Sequence, residues 1–121
     1  MDKIKEEDLQ RCPVTACLQV IGGKWKPVLI YLVSKGCDRF GALGRAMPDI
    51  SKQVLTRQLR ELEADGVMTR AVFDELPPRV EYALTERGRS LLPVIHAMRD
   101  WGQGQVVREV AANSEGHLGQ A

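Results

Sequence analysis

The segment 50–62 reads Ile50-Ser51-Lys52-Gln53-Val54-Leu55-Thr56-Arg57-Gln58-Leu59-Arg60-Glu61-Leu62. Wound as an α-helix it separates into two chemically opposite faces, because residues three and four positions apart share a face. The apolar face carries Leu55, Leu59 and Leu62. The polar face carries three cations, two uncharged polar residues and no acid: Lys52, Gln53, Thr56, Arg57 and Arg60. Such side chains pair with phosphates and with purine edges in the major groove, so the segment is predicted to be a DNA-recognition helix.

An amphipathic helix that only buries one face and solvates the other is the alternative interpretation. Two details favour recognition. Ser51 stands where a helix N-cap belongs, and the acids Glu61, Glu63 and Asp65 are confined to the C-terminal end. That order opposes the helix dipole, whereas it keeps negative charge away from an end that meets phosphate. The predicted helix spans 52–65.

The charge of the chain is distributed unevenly. It has 121 residues and a formal net charge of +1, with 44% hydrophobic and 27% charged residues, which fits one ordinary globular domain. Between residues 20 and 60, however, eight cations stand against two acids, a local charge of +6. Such a band is expected to face a polyanion. Four of its residues are predicted to hold phosphates: Lys24, Lys26, Arg39 and Arg45.

Three shorter helices are predicted ahead of the basic one. A polar arm at 1–11 precedes an apolar stretch, 14–21, that ends at Gly22-Gly23 as helices commonly do. Pro27 suits a helical first turn, and the residues after it are apolar nearly all round, so this second helix should lie at the centre of the core. Phe40–Met47 should form the third helix.

After the basic helix the sequence alternates between apolar and polar residues, which predicts β-strands at 67–73 and 80–84. Asp74-Glu75-Leu76-Pro77-Pro78 cannot continue a ladder, because proline has no N–H to donate, so it should form the tip of a hairpin. Thr85 is predicted to cap one long final helix, which Pro93 kinks. Residues 113–121 are predicted to be a flexible tail.

The predicted fold class is mainly α with a small β-hairpin. In a helix-turn-helix the second helix enters the major groove and the first crosses the DNA backbone. Phe40–Met47 should therefore be the supporting helix, and 52–65 should be the helix that reads the bases. A hairpin directly after the reading helix makes the arrangement a winged helix. Arg70 and Arg79 would flank this wing and contact DNA, although the wing tip carries two acids.

Four motifs make the chain resemble the HxlR family of bacterial winged-helix transcription regulators, relatives of the MarR type. The motifs are Cys12-Pro13-Val14, Ile21-Gly22-Gly23-Lys24-Trp25, residues 55–66 (LTRQLRELEADG) and residues 77–85 (PPRVEYALT). The resemblance covers 12–102. It implies a homodimer that binds inverted-repeat DNA near promoters through a domain at 12–112, with the first and last helices building the dimer interface.

The same resemblance implies a redox or electrophile response at Cys12, because some family members use a cysteine at that place. The chemistry is reasonable, since a helix N-terminus favours the thiolate, which attacks oxidants and quinone-like electrophiles. The alternative is that Cys12 is a small buried hydrophobe, as most free cysteines are. Cys17 is expected to pack, and Cys37 is a second candidate thiol. An oxidant or a small molecule is the expected effector.

Other classes of function match the sequence less well. Cys12 and Cys17 have a permissible spacing for a metal-responsive site, but neither His96 nor His117 is near them. No catalysis and no cofactor are expected, because the chain has only two histidines and no phosphate-binding glycine loop. A winged helix that binds protein rather than DNA remains an alternative. The longest apolar run, 28–33, is too short to span a bilayer, so a cytoplasmic location away from membranes is expected.

Overall fold

The computed structural model describes the backbone of residues 5, 8 and 11–118 and the side chains of these residues up to 113. The polar arm predicted at 1–11 therefore lies almost wholly outside the described residues. The helices and strands follow one another as α1 (Pro13–Ile21), α2 (Lys26–Ser34), α3 (Phe40–Ala46), α4 (Lys52–Ala64), β1 (Met68–Phe73), β2 (Arg79–Leu84), α5 (Glu86–Ser90) and α6 (Leu92–Leu118).

Helix α2 lies at the centre of the core, as its apolar composition predicts. Leu29 and Ile30 are fully buried, and Val33 is nearly so. Pro27 stands in the first turn, where its missing N–H costs nothing because the first amides of a helix have no partner within it. Since α2 packs against α4, α6 and β2, it fixes the reading helix and the hairpin relative to one another.

Helices α3 and α4 form the helix-turn-helix that the sequence predicts. Helix α3 ends before Met47, and the chain turns through a 3.1 Å hydrogen bond from the Ile50 amide to the Met47 carbonyl. The Ser51 hydroxyl accepts a 3.1 Å hydrogen bond from the Val54 amide, which confirms the N-cap of α4. The apolar face of α4 is buried as predicted: Leu55, Leu59 and Leu62.

Strands β1 and β2 form an antiparallel hairpin in which Met68 pairs with Leu84 and Arg70 with Tyr82. The strict alternation predicted for the first strand is wrong at its start, because Val67 and Met68 are both buried where the hairpin joins the core. From residue 69 onward β1 is exposed on both faces. The hairpin is thus anchored at its base and projects as a wing.

Strand β2 is also tied to the segment that leads into α3. Arg39 forms an antiparallel bridge with Glu81, and the Tyr82 amide donates a 2.7 Å hydrogen bond to the Asp38 carbonyl. The wing is therefore joined to the helix-turn-helix by backbone contacts. With α1 to α4, the hairpin and the final helices in this order, the fold is a winged helix-turn-helix, mainly α with one small antiparallel sheet.

The single final helix that the sequence predicts is instead two helices, α5 and α6, separated at Leu91. The Thr85 hydroxyl accepts a 3.0 Å hydrogen bond from the Gly88 amide, so the predicted cap belongs to α5. A Cβ at Gly88 would collide with the Val67 carbonyl, which explains why glycine is needed there. Pro93 lies in the first turn of α6, where it begins a helix rather than kinking one.

The tail predicted at 113–121 begins within α6, which continues to Leu118. Alanine, glutamate and leucine favour the helix here, and the isolated Gly116 weakens it without ending it. Residues 119–121 lie outside the described residues. No helix in the described part of the chain is both long and apolar enough to cross a bilayer.

Candidate nucleic-acid interface

The polar side of α4 faces away from the core and forms what we call the reading face, made of Lys52, Gln53, Thr56, Arg57 and Arg60. Four of these side chains are exposed and Thr56 is half-buried. The Thr56 hydroxyl donates a 2.9 Å hydrogen bond to the Lys52 carbonyl one turn earlier. Because its proton is occupied there, Thr56 can offer a partner only its methyl group and its oxygen lone pairs.

Lys24 and Arg45, two of the residues predicted to hold phosphates, are exposed. The Lys24 ammonium lies 4.7 Å from the centroid of the Trp25 ring, which orders the cation without neutralising it. Arg45 stands in the last turn of α3, where a positive charge interacts favourably with the helix dipole. Both residues can still meet an anion.

The structure corrects the prediction for Lys26. Its ammonium lies 2.7 Å from Glu61 Oε2, and the Lys26 side chain is only 12% exposed. The hydrogen bond and the charge of Lys26 lower the pKa of Glu61 below its ordinary value of 4.5. A cation held in this way links the start of α2 to the C-terminal half of α4, and it is not available to a phosphate.

Arg39 and Arg79 are also paired with acids, beside strand β2 of the wing. Glu81 lies 3.5 Å from Arg39 and 3.1 Å from Arg79, and Glu75 lies 3.5 Å from Arg79. The Arg79 Nε is out of line for a hydrogen bond, so its contact with Glu81 is ionic. The Arg79 guanidinium also stacks 4.3 Å from the centroid of the Phe73 ring. Sequence reasoning missed Glu81, which holds two of the predicted DNA contacts together.

Arg70, by contrast, is exposed on β1 opposite Tyr82. It is one of several side chains around an open cleft of about 740 Å³, which we call the wing cleft, between α3, α4 and the hairpin. Five arginines line it: Arg39, Arg45, Arg60, Arg70 and Arg79. The structure thus brings together cations that are far apart in the sequence.

The tip of the wing has a different character. Asp74 and Glu75 are exposed there, and Leu76 is 100% exposed. An acidic, apolar tip is poorly suited to phosphate, whereas Arg70, nearer the base of the wing on β1, is an exposed cation.

The three cysteines are free and half-buried. Cys12 is the N-cap residue of α1, as its motif predicts, and its side chain makes no capping hydrogen bond. Cys17 and Cys37 pack against the core, so the expected packing of Cys17 is confirmed. Within the described residues, no three acidic, cysteine or histidine side chains are grouped as a metal site requires.

Comparison with known proteins places this geometry in a family. Residues 20–110 match the HxlR-like helix-turn-helix profile. The chain belongs to this family. It is 50% identical to the uncharacterized HTH-type transcriptional regulator YdeP of Bacillus subtilis (strain 168) over 97 residues. The aligned region covers 80% of this chain and 76% of that protein.

Solved structures agree with the fold. The redox regulator HypR in its oxidized form is 50% identical to this HxlR-like chain, with a TM-score of 0.73, covering 77% of this chain and 96% of that one. A regulator from Porphyromonas gingivalis W83, assigned to the MarR family, is 35% identical with a TM-score of 0.71, covering 84% of this chain and 97% of that one. Both the family and the MarR-like fold expected from the sequence are confirmed.

The Lys26–Glu61 pair gives a prediction about stability and pH. Because the pKa of folded Glu61 is lowered, its ionised form stabilises the protein above the ordinary carboxyl pKa, and this contribution is lost as the pH falls through the folded pKa. We expect Glu61→Gln to lower the free energy of unfolding near neutral pH and to differ progressively less from the parent under acid conditions. Urea unfolding at a series of pH values measures this.

Glu109→Gln is the matched control, since Glu109 is exposed on α6 and makes no ion pair within the described residues. It should leave the free energy of unfolding unchanged across the series. A gap between the parent and Glu61→Gln that is constant in pH would contradict the pairing.

Proposed function

We propose that the chain is a DNA-binding transcriptional regulator that acts as a homodimer and places α4 in the major groove. The observation that carries this is the reading face, an exposed set of three cations and two amide or hydroxyl side chains without an acid. Its supports are the helix-turn-helix geometry and membership of a family whose relatives are named transcriptional regulators. No enzymatic activity is proposed, and the proposed location is the cytoplasm.

The exposed side chains divide into two roles. Gln53 and Arg57 can make paired contacts with adenine and guanine edges, and Thr56 can contact a thymine methyl group. Phosphates would be held by cations around them: Lys24, Arg45, Lys52, Arg60 and Arg70. Arg39 and Arg79 are engaged by acids, so we assign them to fixing the wing, with DNA contact secondary. Lys26 is removed from the interface.

A homodimer is supported by apolar side chains left exposed on the first and last helices. Val14 and Leu18 lie one turn apart on α1. On α6, Met98 and Trp101 share a face, and Trp101 is 72% exposed. Large apolar side chains left exposed on two helices are the material of a protein interface. Two copies related by a two-fold axis would present two reading helices about 34–36 Å apart, one turn of duplex.

Trp101→Glu tests the dimer. Burying a carboxylate without a partner is costly, so this variant should sediment as a monomer at concentrations where the parent sediments as a dimer. Gln103→Glu adds the same charge to an exposed position on the other side of α6 and should leave the parent's behaviour unchanged. A monomeric parent at micromolar concentration would contradict the proposal.

Arg57→Ala tests the assignment of base contacts. Loss of a bidentate contact should cost about 1–3 kcal/mol of operator affinity and relax selectivity at one base pair. Arg45→Ala should instead weaken binding to all sequences alike and reduce the salt dependence by about one phosphate contact. Lys26→Met should leave the salt dependence as it is in the parent. Fluorescence anisotropy on a selected genomic site and on its base-pair variants measures all three.

Unchanged affinity and selectivity in Arg57→Ala would show that α4 does not read bases. If the parent instead shows no salt-dependent DNA binding at all, the proposal of a DNA-binding regulator is wrong, and a winged helix that binds protein becomes the better interpretation.

A redox or electrophile response through Cys12 is the second part of the proposal. It is supported by the position of Cys12 at the start of α1 and by 50% identity to HypR, whose structure is known in oxidized and reduced forms. The Cys12 sulfur would add to a ring carbon of a quinone, forming a C–S bond as the ring C=C π bond opens. The thiol proton passes to one quinone oxygen and the proton of the attacked ring carbon to the other, which leaves a hydroquinone thioether. Because α1 carries the apolar residues assigned to the dimer, a bulky adduct at its first turn would disturb the spacing of the reading helices.

We expect a quinone to shift operator affinity at least about threefold in the parent and to have no effect in Cys12→Ser. Cys37→Ser is the matched control, since Cys37 lies in the α2–α3 connection, and it should respond as the parent does. Intact-mass analysis reports the adduct. An equal shift in the parent and in Cys12→Ser would exclude this thiol as the sensor.

A further inference from the structure

The wing cleft contains more positive charge than its own acids neutralise. Five arginines and two glutamates, Glu63 and Glu75, line it, a difference of three positive charges. Arg39 forms an ion pair with Glu81, and Arg79 forms ion pairs with Glu75 and Glu81. With these pairs set aside, Arg45, Arg60 and Arg70 remain in the lining against Glu63 alone, an excess of two positive charges.

Arg45, Arg60 and Arg70 come from three different elements, α3, α4 and β1. No carboxylate in the described part of the chain lies within 4 Å of any of them. Guanidinium groups are planar donors that match phosphate and carboxylate oxygens. Three such groups line one opening and are available to an anionic ligand.

The remaining walls of the wing cleft are apolar or aromatic. Phe40 lies at the start of α3, Val80 and Tyr82 lie on β2, and Pro77-Pro78 closes the side towards the wing tip. Tyr82 is only 6% exposed. Burial raises the pKa of Tyr82, while the nearby Arg70 opposes this shift, so the cationic and aromatic parts of the cleft adjoin one another.

The geometry points to a ligand site: we propose that the wing cleft binds a small organic anion, a phosphate or carboxylate head group carried on a planar ring. The head group would sit among Arg45, Arg60 and Arg70, and the ring would lie against Phe40 and the proline pair. A volume of about 740 Å³ lies within the usual range for small-molecule sites.

Binding of such an anion would oppose DNA binding, and this regulatory step rests on the proposed function. Arg60 belongs to the reading face, and Arg45 and Arg70 are assigned to phosphates, so the ligand and the DNA backbone compete for the same cations. A ligand that binds only the DNA-free protein must lower the apparent affinity of the protein for DNA. The small anion is thus an effector that releases the operator.

Isothermal titration of the full chain with phenyl phosphate tests the site directly. Inorganic phosphate lacks the ring and phenol lacks the charge, and benzoate carries a carboxylate on the same ring. We expect phenyl phosphate or benzoate, whichever head group the arginines prefer, to bind at least about tenfold more tightly than inorganic phosphate and phenol. Equal affinity for phenyl phosphate, benzoate and inorganic phosphate, or no binding of either aryl anion, would overturn the proposal.

Two variants locate the binding. Arg70→Gln removes one of the three unpaired cations and should weaken aryl anion binding at least about fivefold. Arg57→Gln removes the same charge from the reading face outside the wing cleft and should leave this affinity as in the parent. Equal losses in the two variants would show that the anion binds through general charge and not in the cleft.

Ala42→Leu separates the effector site from the DNA site. Ala42 lines the wing cleft from α3, and leucine is compatible with a helix, so the variant fills the cleft without removing a cation. This variant should bind the operator as the parent does, but phenyl phosphate should no longer release it from the operator. Sodium sulfate at equal ionic strength is the control for the general effect of salt. Release equal to that of the parent would contradict the site.

The two proposals fail in different ways. If the parent binds no DNA, the regulator proposal fails, while titration of the parent and Arg70→Gln still tests the cleft. If the parent binds DNA but binds neither phenyl phosphate nor benzoate, only the effector site is overturned. A circular dichroism melt confirms that each variant is folded.

Discussion

The burial of three leucines on α4 is the constraint on which the interface depends. Leu55, Leu59 and Leu62 are enclosed between α2 and β1, so α4 has one rotational setting about its own axis. Because the helix repeats every 3.6 residues, that setting sends Lys52, Arg57 and the other members of the reading face outward together. Packing therefore decides which side chains can meet DNA. Each buried leucine contributes about 2–5 kcal/mol relative to alanine, far more than an exposed ion pair.

Ion pairs refine what packing establishes. Lys26 and Glu61 join α2 to α4, and Glu81 joins the segment before α3 to strand β2 of the wing. These acids have a second effect, because they decide which cations remain available. Three of the eleven residues predicted to contact DNA are paired with carboxylates, and the charge left over is concentrated on the reading face and in the wing cleft.

The sequence predicts local features of the molecule well. The periodicity of 52–64 and the Ser51 cap are visible without coordinates because they depend on residues a few positions apart. The prolines of 77–78 mark the wing tip for the same reason. The fate of Lys26 was not predictable in this way, since Glu61 is 35 positions further along the chain and only the packing of α2 on α4 brings them together. Glu81 was missed because its partner Arg39 lies 42 positions earlier in the chain and meets it only through the bridge between that segment and β2.

The end of the chain shows a second limit. Pro93 suggests a kink in one helix, yet Leu91 separates two helices, α5 and α6, because Gly88 must lie against the Val67 carbonyl and so fixes α5 separately. Glycines and polar residues near 113 suggest a tail, but α6 is long enough for its helix to propagate to Leu118. Both differences come from tertiary or cooperative effects that composition does not encode.

The central claim is that two copies of α4 lie in the major groove of a DNA duplex. Protection of guanine N7 from dimethyl sulfate, which reacts from the major groove, tests it most directly on a site selected from genomic fragments. The account predicts two protected clusters centred about 10–10.5 base pairs apart on one face of the helix. Salt-dependent binding without any guanine protection would contradict it, because the cations would then contact the backbone alone.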